Sequence, residues 1–318
     1  MATRFLDATP RQLLAMSPAE MLTAIRISEG RVIMVTPRIR SGTLVDHVSN
    51  AEVAAAFGAD ILDLTTYEPF NPRIPGWPSK NPADDEAGRD LQILKGEGYT
   101  LQEIRELVGR PVALLLVLHT EDNKSDVLRT HGNILATMEN AEKAVASGAD
   151  MIVLTSWAPS EQFPENLKRI CKALKGKAIL EYTRPHGSGL IETLETRQVL
   201  ISEDEIRAIL DAGVDIIGLP APGTYPGFTV DRVARLVDLI HSGGAMVSLG
   251  VHTTQESADL ETLREIAILA KQAGADIHEL GDSGYNLVMV EPQNIMAYSI
   301  AIRGCRHTYR RMAMSIKR

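Results

Sequence analysis

The chain alternates two kinds of segment. Stretches whose apolar residues recur every three or four positions predict amphipathic helices. Between them lie short, nearly continuous apolar runs, which predict strands covered on both faces. The join between the two is a repeated phrase. A helical run ends on Gly followed by a small or apolar residue, usually then Asp, and a strand begins. It occurs as FGADILDL (Phe57–Leu64), SGADMIVL (Ser147–Leu154), AGVDIIGL (Ala212–Leu219) and AGADIHEL (Ala273–Leu280), with a looser copy SGGAMVSL (Ser242–Leu249). Glycine ends a helix by taking a left-handed conformation at no Cβ penalty. Short connections of this kind feed straight into the next strand.

Eight strands follow from the pattern: Val32–Val35, Ile61–Leu64, Val112–Leu118, Met151–Leu154, Ala178–Tyr182, Ile216–Leu219, Met246–Leu249 and Ile277–Leu280. Helix starts are marked by capping boxes at Ser49/Glu52, Thr100/Glu103 and Ser202/Glu205, and by Pro164 and Pro292 at first-turn positions. Eight βα units predict an α/β fold, a parallel sheet closed into a (β/α)8 TIM barrel. An open doubly wound sheet is the alternative, disfavoured because no GxGxxG follows the first strand. The whole chain, 1–318, reads as one barrel domain. Two short helices, started at Thr9-Pro10 and Ser17-Pro18, form an extension over 1–30 that plugs the barrel bottom or packs on its side. A long Pro-rich loop after strand 2, residues 65–98, reads as an ordered excursion carrying Phe70 and Trp77, either a lid or an arm towards another subunit.

Composition narrows the partners. The net charge of −8 speaks against nucleic acid or an anionic membrane as the main partner and leaves a small anionic molecule in a local basic pocket. Aromatic residues are only 4%, so the core rests on aliphatic side chains. Two cysteines, Cys171 and Cys305, suggest neither a disulfide framework nor a metal cluster. The expected setting is cytoplasmic, with no signal peptide and no membrane span. A homo-oligomer is expected on fold analogy.

In this fold the working groups sit on the loops that follow the strands. That rule selects Thr36, Arg38 and Arg40; Asp63 and Glu68; His119, Glu121 and Asp122; Thr155, Ser156 and Trp157; Glu181, Arg184 and His186; Ser248, Gly250 and His252; and His278, Glu279, Asp282 and Ser283. Glu181 ends an apolar strand, where a carboxylate needs a partner, a metal or water. It reads as a general base, a metal ligand, or one half of an ion pair with Arg184 or Arg38. His252 and His119 are candidate acid–base groups. Asp63 faces the barrel mouth or caps the next loop. Adjacent His278 and Glu279 point opposite ways, so at most one faces the axis. Gly250, Gly281, Ser283 and Gly284 form a candidate phosphate cradle in the last two loops, with Asp282 to orient a neighbour or bind a hydroxyl. The cofactor is open; a divalent metal held by Glu181 and histidines is one alternative. No Lys ends a strand, and both cysteines lie in helical segments, so Schiff-base and thiolate chemistry are disfavoured. The basic C-terminal stretch from Arg303 to Arg318 reads as a solvated helix face or a subunit contact.

The opening RFLDATPRQLLAMSPAEMLTAI, the segment NAEVAAAFGADILDL and the turn ELGDSGYN resemble a bacterial TIM-barrel family labelled phosphoenolpyruvate phosphonomutase-like, or loosely haloacid dehalogenase-like hydrolase. The resemblance covers nearly the whole chain and implies a barrel and a link to sugar-uptake phosphotransferase systems. No KKCGH-type loop and no DxDxT motif is present, so neither family chemistry carries over. The expected function is an enzyme acting on a small phosphorylated or carboxylated metabolite, such as a sugar phosphate or sugar acid. Its chemistry would be acid–base isomerisation or carbon–carbon lysis. The alternatives are a metal-dependent lyase or hydrolase, and a non-catalytic ligand-sensing barrel coupled to sugar transport.

Overall fold

A computed structural model of the chain describes residues 2–85, 94–119, 134–156, 163–184, 201–284 and 287–318. Eight parallel strands close into a barrel in sequence order: β1 (Val32–Val35), β2 (Ile61–Asp63), β3 (Val112–Val117), β4 (Met151–Thr155), β5 (Ile179–Thr183), β6 (Ile216–Pro220), β7 (Met246–Val251) and β8 (Ile277–Leu280). β1 pairs with β8 with Val32 opposite Ile277, which removes every sheet edge. Helices α1 (Pro10–Ala15) and α2 (Pro18–Arg26) precede β1. The outer ring contains α3 (Asn50–Ala56), α4 (Leu101–Val108), α5 (Met138–Ala146), α6 (Phe163–Leu174), α7 (Glu203–Ala212), α8 (Val230–Ser242), α9 (Leu260–Gln272) and α10 (Pro292–Ala313). The strands fall within two residues of their sequence-based bounds. The capping boxes at Ser49, Thr100 and Ser202 form, and so do two at Thr9 and Ser17. No helix among the described residues is long and apolar enough to cross a membrane.

The recurring Asp of the helix-to-strand phrase ties neighbouring strands together. Asp60 Oδ2 accepts the backbone N–H of Ile33, Asp150 Oδ2 that of Val112, Asp215 Oδ2 that of Leu180 and Asp276 Oδ2 that of Val247, each at 2.9 Å. Each Asp also returns its own N–H to the carbonyl of the same residue, at 2.8 to 3.0 Å. These rungs join β1 to β2, β3 to β4, β5 to β6 and β7 to β8. The barrel is thus built as four (βα)2 units that share one device. An N–H at a strand start, otherwise unpaired, finds a charge-assisted acceptor.

Strand alternation divides the interior by height. Val32, Met34, Ile61, Ala113, Met151, Val153, Ile179, Ile216, Met246 and Ile277 point inward and pack with Phe5, Leu13, Met21 and Ile25 of the N-terminal segment. The extension therefore plugs the barrel bottom, one of its two expected positions. The described part of the excursion after β2 folds down beside α3 and α4. Trp77 donates to Glu52 Oε2 at 2.5 Å and meets the Tyr99 ring edge-on at 5.0 Å, while Phe70 is exposed.

In the basic C-terminal stretch Arg306, Arg310, Lys317 and Arg318 are exposed, as a solvated face would have them, but two residues depart from it. Arg303 and Arg311 are buried and both pair with Asp60, Arg311 Nε at 2.7 Å from Oδ1. Their remaining donors reach backbone carbonyls of Gly58, Ala8 and Phe5. Gly304 (φ 74°, ψ 165°) interrupts the helix between them, and Arg303 before the break and Arg311 after it both turn inward onto the GAD phrase before β2. Arg310 pairs with Asp7 at 2.9 Å. The C-terminal helix thus clamps the N-terminal segment to the barrel.

Candidate active site

Continuing the inward alternation one step towards the C-terminal ends of the strands replaces hydrocarbon with polar groups. The next inward positions are Thr36, Asp63, Val117, Thr155, Glu181, Gly218, Ser248 and Glu279. Asp63, Glu181 and Ser248 are fully buried, Thr155 is 1% exposed and Glu279 5%. Glu279 is therefore the residue of its pair that faces the axis. His278 faces outward, bonded to the Tyr298 hydroxyl at 3.0 Å and the Gly30 carbonyl at 3.1 Å, and its burial lowers its pKa to about 4.

Glu181 stands on the floor of the mouth. Ser248 Oγ donates to its Oε1. Its Oε2 has no hydrogen-bond partner among the described residues. A Cβ on Gly218 would lie 2.6 Å from Thr183 Oγ1 and 3.0 Å from Glu181 Oε1, so only glycine leaves room for the carboxyl group. Burial, then repulsion from Glu279, pushes Glu181 up to about 8. The ion pair expected as its alternative partner does not form. Arg184 pairs with Glu205 at 2.6 Å and Arg38 with Asp282 at 2.6 Å. Asp63 faces the mouth rather than capping a loop. Neither of its oxygens has a partner among the described residues. Its pKa is raised well above the carboxylate range by burial, then by Glu279, Glu181 and Asp282. Thr155 Oγ1 is likewise without a partner among these residues, while Thr36 Oγ1 donates to Glu279 Oε1 at 3.1 Å.

Above this floor lies His252, just past β7. A Cβ on Gly250 would sit 2.3 Å from its Nε2, and one on Gly281 would sit 2.4 Å from its Nδ1. The two glycines therefore form a seat for the imidazole, a role different from the phosphate cradle expected of them. Two donors of that cradle are engaged as well. Gly281 N–H donates to Val251 O at 3.0 Å and Ser283 N–H to Glu256 Oε1 at 2.7 Å, while a Cβ on Gly284 would lie 2.0 Å from Met289 O. A carboxylate of the protein itself takes the place expected for a bound anion. His252 Nε2 lies 3.6 Å from Glu279 Oε2. Burial opposes the imidazolium, but Glu279, Glu256 and Asp282 outweigh it and push His252 up to about 9. Thr253 and Thr254 follow with φ of 68° and 67°, a left-handed pair of non-glycine residues that turns the chain back and brings Glu256 under the ring.

The remaining candidates sit at the rim. His119 is half-buried, two residues past β3. Arg38 and Asp282 bracket the gap between the β1 and β8 loops, and Arg40 pairs with Glu68 beside them. Glu121, Asp122, Trp157 and His186 lie outside the described residues. Among the described residues no group of three His, Cys, Asp or Glu is arranged to hold a metal ion. Glu256, fully buried, is the participant the sequence concealed. Its three-residue spacing from Thr253 resembles a capping box and gives no hint of a carboxylate turned inward.

Comparison with solved structures places the barrel among known folds. The carboxyl transferase domain of Rhizobium etli pyruvate carboxylase superposes with a TM-score of 0.52 at 14% identity, covering 95% of this chain and 51% of that one. A complete multifunctional pyruvate carboxylase from the same organism gives 0.52 at 15%, covering 95% and 28%. A variant of the carboxyl transferase domain with pyruvate gives 0.51 at 15%, covering 96% and 52%. The chain thus spans about half the length of the isolated domain, and identities this low speak for the fold alone. No curated protein matches the sequence. The phosphonomutase-like label suggested by the opening segments finds no support among these matches. Residues 6–318 match the family described as a domain of unknown function, DUF7916, and the chain belongs to that family.

Proposed function

We propose that the protein is an acid–base enzyme acting on a small carboxylated metabolite at the barrel mouth, with Glu181 and His252 exchanging protons. One observation carries this reading. Two fully buried carboxyl groups, Asp63 and Glu181, face the mouth with unpartnered oxygens and strongly raised pKa values, beside an imidazole that holds its proton. Groups whose environments bring their pKa values close to working pH are suited to proton transfer. Glu181 as carboxylate takes a proton from a carbon next to the substrate's carbonyl or carboxyl group. The electron pair moves to that group's oxygen. The His252 imidazolium, held by Glu279, supplies a proton there, and the imidazole then takes one from a hydroxyl on the first carbon. Returning a proton to the former carbonyl carbon gives isomerisation. In lysis Glu181 instead takes the proton of a hydroxyl one carbon further along; that carbon becomes a carbonyl and leaves as its bond to the first carbon breaks, the electron pair passes to the oxygen that His252 protonates, and the first carbon is protonated in turn. Ser248 fixes the carboxyl group that acts as base. Arg38, at the rim, is placed to attract the substrate's anionic group, with Arg184 and His119 further out. The carboxyl transferase domain, which shares the fold, is described with pyruvate and with oxamate, both small carboxylates.

The test works whichever small acid is the natural substrate. The protein is incubated in deuterated water with panels of small keto, hydroxy, amino and sugar acids, and proton NMR follows loss of carbon-bound hydrogen. Exchange in one compound class, abolished by Glu181→Gln, is the expected result. Exchange unaffected by Glu181→Gln, or absent throughout, overturns the assignment.

A further inference from the structure

The floor of the mouth is unusual in what it lacks. Asp63 Oδ1 and Oδ2, Glu181 Oε2 and Thr155 Oγ1 have no partner among the described residues, and all three residues are at least 99% buried. They stand on β2, β4 and β5 at the same inward layer. A buried acceptor without a donor is costly, and a donor-rich guest would remove that cost. Thr155 is not acidic, so the pattern is more than a cluster of carboxylates. Charge narrows the guest further. Five carboxyl groups meet here: Asp63 from β2, Glu181 from β5, Glu279 from β8, Asp282 from the loop after β8 and Glu256 from the turn after β7. Among the described residues the cations that face them are His252 and Arg38, and each is already held, by Glu279 and Asp282 respectively. Hydroxyl groups on a guest would satisfy the acceptors but leave Asp63 and Glu181 neutral only through their own protons. A compact cation with several N–H donors satisfies both the acceptors and the charge.

We propose that the ligand of this site carries a protonated primary amine, seated on Asp63, Glu181 and Thr155, with its carboxylate directed to the Arg38 side of the rim. This deepens the acid–base reading and rests on it for the mouth being the working site. The substrate class becomes a small amino acid or related aminocarboxylate, rather than a plain keto, hydroxy or sugar acid. Binding of the amine ionises the acids beneath it. Below about pH 8 Glu181 holds a proton in the free protein, so uptake of the ammonium group releases protons to solvent, and affinity rises as pH approaches that value.

The probes are ethanolamine hydrochloride, ethylene glycol, sodium glycolate and sodium chloride, the salts at matched ionic strength, applied to the full chain by thermal shift and by calorimetry in two buffers of different ionisation enthalpy. We expect ethanolamine to raise the melting temperature by mass action and to release protons on binding. Asp63→Asn should weaken that binding by at least about tenfold, as expected when one partner of a buried charge pair is neutralised. Thr155→Val, which keeps shape and charge, should weaken it by a smaller factor while the protein stays folded. A response to ethylene glycol or glycolate without one to ethanolamine overturns the proposal, and so does the absence of any response, or an ethanolamine response unchanged in Asp63→Asn. The deuterium exchange test separates the two readings. Exchange confined to amine-free acids ends the amine assignment and leaves acid–base catalysis standing; no exchange in any compound ends the latter.

Discussion

Taking a carboxyl group out of water favours its neutral form, and neighbouring carboxylates add to the effect. Glu181 experiences both, and its proton affinity has a consequence for stability. Its folded value of about 8 lies above the ordinary 4.5, so across that interval the folded state holds a proton that the unfolded state has released. Stability therefore falls as pH rises from about 4.5 to about 8. His252 acts in the same direction. Its folded value of about 9 lies above 6.5, so the stability that it contributes is fully present below 6.5 and lost as pH rises through about 9. Melting temperatures measured from mildly acidic to mildly alkaline pH should decline throughout. Glu181→Gln, which keeps the shape and cannot ionise, should flatten the profile from about pH 4.5 to 6.5 and leave above 6.5 the part that His252 contributes. A flat profile in the native protein would contradict the burial account. Catalysis gives a second reading of the same groups. With Glu181 required as carboxylate and His252 as imidazolium, turnover should rise towards about pH 8 and fall above about pH 9. The alkaline limb should be lost in His252→Gln.

The sequence exposed Glu181, Asp63 and His252 because polar residues at the tail of apolar strands are conspicuous. It did not expose their partners. Ser248 and Glu279 were visible as strand-end residues, but their pairing with Glu181 and His252 depends on how far each strand is staggered in the closed barrel. Gly250 and Gly281 show the limit most clearly. From sequence a glycine near a strand end implies close backbone approach, and whether a bound anion or an imidazole makes that approach is decided in three dimensions.

At the scale of elements, the Gly-x-Asp phrase carries more than a helix stop. The glycine ends the helix, and the Asp two residues later fastens the strand it opens to the one before. The phrase was legible as a period, and it located four strand starts correctly. The rung itself was not legible, because it needs the parallel register between neighbouring strands. Each rung is a charge-assisted bond to a backbone donor, so its loss leaves a strand-start N–H without its acceptor. Asp215→Ala is expected to cost about 1–3 kcal/mol in chemical denaturation. Asp60→Ala should cost more, since it also strips the buried Arg303 and Arg311 of their shared counter-charge. Equal, near-zero costs at both positions would mean that the rungs are incidental.

At the scale of the molecule, the two ends of the barrel do different work. The bottom is closed by hydrocarbon, Phe5, Leu13, Met21 and Ile25 against the lower interior layer, and sealed by the arginine face of the C-terminal helix. The top carries the acids. This separation lets the mouth tolerate buried, poorly compensated carboxyl groups, because stability is supplied elsewhere. The eight-strand count and the closure followed from the alternation of βα units. The inward turn of Arg303 and Arg311 did not, because a basic helix face looks alike whether it meets solvent or a buried aspartate. Leu13→Ala, at a fully buried plug position, should destabilise the protein by about 2–5 kcal/mol while leaving the pH dependence of turnover in place. A shifted pH profile in that variant would show that the two ends are coupled.

The chemistry proposed for the barrel mouth depends on Glu181 being a neutral acid at physiological pH. Infrared difference spectroscopy of the carboxyl stretch, recorded as a pH titration of the native protein and of Glu181→Gln, tests it most directly. The expected result is a protonated carboxyl band that persists at neutral pH, titrates near pH 8 and is missing from Glu181→Gln. A Glu181 band that disappears in the ordinary carboxylate range would contradict it.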